Sequence, residues 1–359
     1  MSPRLNAIGL ILGSATLISA MAWAATDTPR VKSAPARATV AAKVRPAAQA
    51  APPAMASAST APVPLLWKVS DRDNALYLLG SLHLLKPSDY PLSGDVDVAF
   101  NEAEKVVFEV GLDELADPAT AQKFLRAAGF GDDRRLSTVV PQVLREKLGR
   151  LLARQGGSIA AIDGYEPWFV NLSLTLGMAG AQGFQPEIGL DQHLARRAIE
   201  AGKATGALET IDAQLNALDA SPMDEQVAGL VDFVDRIDDM PSVLNELHGA
   251  WRSGDVPRLE QLTRVEMQEK APASYRIMNV DRNDAWVPQL QAMLDGQGKG
   301  EDVLVVVGSL HLLGADGVVE KLRAKGYAVE RVCSACAVSV AADAAAGSTA
   351  TSGTGTQPR

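Results

Sequence analysis

The hexapeptide GSLHLL occurs twice, at residues 80–85 and 308–313, starting points 228 residues apart (308 − 80). Each copy follows an apolar run, ALYLL before the first and VLVVV before the second. Short runs apolar on both faces are the pattern of strands buried inside a sheet. Both copies therefore begin where a strand ends, and the two ends of the chain supply matching turns to one sheet. Of the four histidines in the chain, His83 and His311 hold the same place in this phrase. Gly80 and Gly308 stand three residues ahead of them, where a missing Cβ lets the backbone turn sharply or approach a neighbour closely.

The rest of the pattern is α/β. PLLWKVSDRDNALYLL reads as two strand arms, Leu66–Val69 and Ala75–Leu79, joined by a turn with Asp71, Asp73 and Asn74. Ser93 precedes a helix whose Val96, Ala99, Phe100 and Ala103 fall on one face, and KVVFEVGL is a further strand, which implies a parallel crossover. Helical periodicity covers 141–154, 166–180, 189–201, 222–236, 240–252, 256–270 and 284–295, interrupted by a short strand over Thr205–Leu208. EDVLVVVG, a helix with Val318, Val319 and Leu322 inward, and the strand AVERV close the pattern. The expected architecture is a mixed β-sheet core with a large helical insertion between its two halves.

The flanks are different. MSPR, an apolar stretch and AWA before Ala25 have the form of an export signal cleaved after Ala24, giving a periplasmic or secreted protein without a stable membrane span. Residues 25–64 are dominated by Ala, Pro, Val, Ser and Thr, a composition that cannot offset its ordering entropy, and read as a disordered linker. A similar tail is expected over 336–359, leaving 65–335 as the globular unit. The net charge of −9 and the absence of a basic, aromatic-interleaved stripe exclude nucleic acid as a partner. The only cysteines, Cys333 and Cys336, leave three readings: a local disulfide, a redox pair or half a metal site.

Ligands of crossover sheets bind beyond the carboxyl ends of the strands, which is where His83 and His311 fall. On neighbouring strands, facing side chains lie about 4.5–5.5 Å apart, close enough for two imidazoles to share an ion. Glu109 interrupts the apolar strand KVVFEVGL, where an ionised carboxylate needs a cation, a donor or a metal. Two histidines and a carboxylate form a recurring metal set for hydrolysis, although a salt bridge from Glu109 to a core arginine accounts for that residue equally well. His193 and His248 read as helix-surface or packing residues, and Asp191 and Glu209 as polar groups bordering apolar elements. No H-E-x-x-H, nucleophile elbow, P-loop or dinucleotide fingerprint occurs, and Ser81 and Ser309 lack the setting of a nucleophile.

Taken together, LLWKVS, YLLGSLHLLKPSDYPL, VVFEVGL, GLDQHLARRAIEAGK, ALETIDAQL, AWRSGD, DRNDAWVPQL and VLVVVGSLHLLGADGVVEKLRAKGYAVERV resemble the TraB/PrgY/GumN family over about residues 65–333. That family includes the Tiki-type metalloproteases and is distantly similar to ChaN and erythromycin-esterase-like (EreA-like) proteins. The resemblance implies an α/β core in which His83, His311 and Glu109 meet at one site. It places Arg282 and Asn283 on the family's R-N pair, and Asp191 and Glu209 on its G-x-D and L-E-T positions. It further implies a divalent ion (manganese, cobalt or zinc) bound by His83, His311 and Glu109, with Glu109 as third ligand or general base and Arg282 at the developing oxyanion. The resulting expectation is an exported metal-dependent hydrolase of the bacterial GumN type, acting on a peptide or another small molecule. Two alternatives stand beside it: a metal-independent, esterase-like hydrolase, and a non-catalytic protein that sequesters a peptide or serves envelope polysaccharide export.

Overall fold

The computed structural model describes residues 61–297 and 300–336. The expected signal, most of the linker and the tail beyond Cys336 lie outside the described residues. The last four linker positions already belong to the fold: Val63 N–H donates to the Arg252 carbonyl at 2.7 Å, and the Pro62 carbonyl accepts from Ser93 N–H at 3.1 Å.

Six strands form one mixed sheet: β1 Leu66–Ser70, β2 Ala75–Ser81, β3 Lys105–Val110, β4 Ala204–Glu209, β5 Val303–Gly308 and β6 Ala328–Arg331. Their spatial order is β4-β3-β5-β2-β1-β6. The four strands β4, β3, β5 and β2 run parallel, while β1 and β6 are antiparallel to their neighbours. β2 and β5 are buried at every residue, as their two-sided apolar runs require, and the edge strands β4 and β6 are the more exposed.

The chain between β3 and β5 is helical apart from β4, forming the large insertion expected between the halves. β2 and β3 are parallel as expected but do not pair, because β5, arriving from the far end of the chain, lies between them. Leu79 lies opposite Val306, Gly80 opposite Val307 and Ser81 opposite Gly308. The two GSLHLL phrases therefore leave adjacent strands side by side, offset by one residue.

Local chemistry fixes these exits. A Cβ on Gly80 would lie 2.9 Å from Ser309 Oγ and 3.0 Å from Leu65 Cβ, so only glycine lets the strands close here. Ser309 Oγ donates to the Ser81 carbonyl at 2.9 Å, and the buried Trp251 indole N–H donates to the Gly80 carbonyl at 3.0 Å. Both groups satisfy backbone acceptors where the sheet ladder stops.

Some local expectations change. Ser93 occupies the N-cap position of the helix Gly94–Glu102, but its side chain makes no capping bond. The periodic stretch 256–270 is interrupted by a π-helical turn at Gln261–Val265. His248 is not a helix-surface residue: it is buried, 2.8 Å from Asp89, edge-on to Phe184 and stacked on Trp251. His193 packs on Tyr90, as a packing residue does. Cys333 and Cys336 form a disulfide. Among the described residues, no helix is long and apolar enough to cross a membrane.

Candidate functional site

His83 lies two residues beyond β2, and His311 lies in the 3-10 turn Ser309–Leu312 that follows β5. Both imidazoles are buried. Each is fixed through Nδ1 by a residue from another element.

For His83 the anchor is Asp191, in the first turn of the helix Leu190–Glu200, with Oδ1 3.1 Å from Nδ1. The sequence GLD explains how it arrives. A Cβ on Gly189 would collide with the His83 carbonyl, so the missing side chain lets this backbone lie against the GSLH turn. Leu190 N–H then donates to the Leu82 carbonyl at 3.1 Å, and Asp191 follows on the imidazole. Ser81 Oγ donates to Asp191 Oδ1 at 3.0 Å and accepts from Asp191 N–H at 3.2 Å. Its proton is thus directed to a carboxylate. Asp191 Oδ2 is buried and has no hydrogen-bond partner among the described residues.

For His311 the anchor is Asn283, on the helix Asp281–Ala292. Asn283 Nδ2 donates to the Asp316 carbonyl at 2.8 Å, which turns its Oδ1 to His311 Nδ1, also at 2.8 Å. An amide oxygen only accepts, so this network puts the proton on Nδ1 and leaves the Nε2 lone pair facing Arg282 Nη1 at 3.1 Å. Trp286 covers the ring, with centroids 4.4 Å apart.

Glu109, on β3 beside β5, closes the group. Its Oε1 accepts from Gly308 N–H at 2.7 Å, and its Oε2 accepts from Arg282 at 2.8 Å and Gln214 at 2.9 Å. Burial pushes its pKa above the ordinary carboxylate value, opposed first by the charge of Arg282 and then by His83. Burial works against the charge of Arg282 too, but Glu209 and then Glu109 outweigh it and raise the guanidinium pKa. Glu209 ends β4, accepts from Arg282 at 2.6 Å and takes the Trp286 indole N–H at 3.1 Å. The next residue, Thr210, caps the helix Ile211–Asp219 that brings Gln214 to Glu109.

The structure thus joins Glu109, Arg282, His311, Asn283 and Glu209 in one hydrogen-bonded network at the carboxyl ends of the parallel strands, and sets His83 with Asp191 beside it, His83 near enough to act on the charge of Glu109. A family model described as TraB/PrgY/gumN matches residues 65–331, most of the chain and the whole of this cluster.

The chain belongs to the TraB/PrgY/gumN family.

Neither a curated protein nor a solved structure matches it. In this TraB/PrgY/gumN chain, the salt bridge weighed for Glu109 exists, and Arg282 is the arginine. All five guanidinium N–H groups have acceptors: Nε on Glu209, Nη1 on the Met278 carbonyl and His311, Nη2 on Glu109 and Glu209. An oxyanion contact from Arg282 therefore requires one of these bonds to open; as it stands, Arg282 ties Glu109 to His311. Two contributors escaped the sequence reading. Gln214 sits on a short helix whose apolar face gives no separate signal in the sequence, and Trp286 stands four residues after Arg282, a spacing that puts both on one face.

Tested against a divalent ion, the donors fit in kind. Both imidazoles are held through Nδ1 by oxygen acceptors, the outer arrangement that orients histidine ligands, and Asp191 Oδ2 is a buried carboxylate oxygen without a donor. Three carboxylates, Glu109, Glu209 and Asp191, stand against one guanidinium, so the cluster carries excess negative charge when they are ionised. In the present side-chain positions, however, no three His, Cys, Asp or Glu among the described residues form a group able to hold one ion, because Arg282 stands at Glu109 and His311.

Proposed function

We propose that this protein is an exported hydrolase, cleaving a peptide bond in preference to other acyl bonds, at the cluster of His83, His311 and Glu109. The observation that carries the reading is the meeting of the two GSLHLL turns at a buried glutamate, with Gly308 N–H on the carboxylate itself. Glu109, lifted toward neutrality by burial, is suited to take a proton from an attacking water and return it to the leaving group. Arg282 limits that lift and aims the carboxylate. Asp191 and Asn283 hold the two imidazoles in one tautomer, and Trp286 shuts water away from His311.

His83, His311 and Glu109 would hold a divalent ion, manganese, cobalt or zinc, once Arg282 yields its bonds to Glu109 and His311. Such an ion supplies Lewis acidity and charge to the reacting carbonyl. A second reading, hydrolysis without metal, is favoured by the same Arg282 contacts, which already give Glu109 a cation. The Cys333–Cys336 disulfide and the signal-like residues 1–24 support action outside the cytoplasm.

The test is digestion of a peptide library by the purified chain, with each ion added and after exhaustive chelation, beside His83→Ala and His311→Ala. The proposal expects cleavage that both substitutions remove and chelation stops. Cleavage surviving chelation supports the metal-free reading. Saturable peptide binding without turnover, unchanged in both variants, would falsify hydrolysis and favour a sequestering protein.

A further inference from the structure

A cavity lies inside the helical insertion, walled by the helices Pro167–Ala181 and Met223–Asp235 and by the segment from Met267 to Met278. Its volume, counted as room for the centres of water molecules, is about 40 Å³. One water needs ~10–15 Å³ on that measure, so the space exceeds a single solvent site.

Two polar atoms in its lining residues are buried without partners among the described residues: the indole Nε1–H of Trp168 and the amide Oδ1 of Asn171. Both residues are only 2% exposed, and they stand three apart on the same helix, hence on one face. An unpaired buried donor or acceptor costs about 1–3 kcal/mol, so a donor and an acceptor left open on two residues that line one space need an explanation. Two other polar wall residues are already engaged. Glu225 accepts from the backbone N–H groups of Ala273 and Ser274, and Gln226 accepts from the backbone N–H of Trp168 and donates to Glu166 and the Ser221 carbonyl. Met267 and Met278 give the rest of the wall an adaptable apolar surface.

What this lining recognises follows from its chemistry. The indole wants an acceptor and the Asn171 oxygen wants a donor, a pairing that one carboxamide supplies. The methionines want an apolar body. Glu225 and the absence of a cationic residue among the lining residues disfavour an anion.

We propose that this cavity is a binding site for a small neutral carboxamide, its carbonyl on Trp168 and its N–H on Asn171. The site is separate from the Glu109 cluster but shares a wall with it, since the Met278 carbonyl accepts from Arg282 Nη1 at 3.1 Å. Binding here does not depend on whether the cluster hydrolyses anything.

The experiment is a titration of the full chain with isobutyramide, followed through the indole N–H resonances of ¹⁵N-labelled tryptophan, with Trp168→Phe to assign the Trp168 signal. The expected result is a saturable shift of that signal. The Trp251 and Trp286 signals, already bonded to the Gly80 carbonyl and to Glu209, stay in place. Asn171→Leu weakens binding about tenfold, the weight of one buried hydrogen bond. Isobutyrate, the same shape with a charge, binds more weakly than the amide. Ser274→Leu, which narrows the cavity, removes the shift even if Asn171→Leu does not fold. A Trp168 signal that never saturates, as for a cavity that holds water alone, overturns the proposal. So does equal affinity for isobutyrate or in a folded Asn171→Leu.

Discussion

Replacing Arg282 by methionine tests the electrostatic core of the cluster. Methionine keeps much of the apolar stem but removes the guanidinium that bonds both Glu109 and Glu209. Glu109 is 1% exposed and Arg282 6%, so water does not take over the lost bonds. Removing one partner of a buried ion pair, with the other left charged, costs about 3–5 kcal/mol. Two carboxylates lose their cation here, which places the expected loss at the upper end of that range. At about 2–4 °C per kcal/mol for a domain of this size, the melting temperature falls by roughly 10–20 °C. The assay is urea denaturation at neutral pH, with the slope compared between variants so that a change in the denatured state is not read as a change in stability. Adding Glu109→Gln and Glu209→Gln to Arg282→Met removes the stranded charges and recovers most of the loss. Arg282→Lys falls between, because an ammonium cannot make the forked contacts. A loss below about 1 kcal/mol for Arg282→Met, in the range of a surface ion pair, refutes the view that this arginine holds the cluster together.

Two further outcomes follow from the same geometry. The folded-state pKa of Glu109 lies above the ordinary 4.5, so the folded chain holds that proton more tightly than the unfolded chain. The stability this contributes is complete below the ordinary value and is lost as pH rises through the raised one. The stability difference between wild type and Glu109→Gln, measured from about pH 4 to about pH 8, should therefore move against the wild type across that window. A flat difference contradicts the shift. Gly189→Ala forces a Cβ against the His83 carbonyl and should destabilise the fold by about 1–3 kcal/mol while displacing the His83–Asp191 contact. Unchanged stability with an unchanged imidazole resonance for His83 would show that the close approach has no such role.

The sheet's interior and the position of the cluster were legible because they rest on local signals. Two-sided apolar runs mark β2 and β5, the repeated phrase marks their exits, and a lone acid in KVVFEVGL marks Glu109. Arg282 and Asn283 are named by the family resemblance alone, Asp191 and Glu209 also by their polarity beside apolar elements, and the structure supplies the reason each stands where it does. What stayed hidden depends on tertiary pairing. Nothing in the local pattern around Gln214 or His248 announces a partner 105 residues away at Glu109 or 159 residues away at Asp89. The insertion of β5 between β2 and β3 is likewise a property of the whole chain. The π-helical turns at Gln261–Val265 and Arg276–Val280 add residues to a turn, a change that a search for 3.6-residue periodicity averages away.

The claim on which the functional reading rests is that His83, His311 and Glu109 act as one ion-binding unit. It is tested most directly by metal content after equilibration with manganese, cobalt or zinc and removal of the excess, in wild type, His83→Ala, His311→Ala and Glu109→Gln, each first verified as folded by circular dichroism. The account predicts about one ion per chain in the wild type and loss of that ion in all three variants. The same ion content in all four proteins, or none in the wild type with any of the three metals, contradicts it.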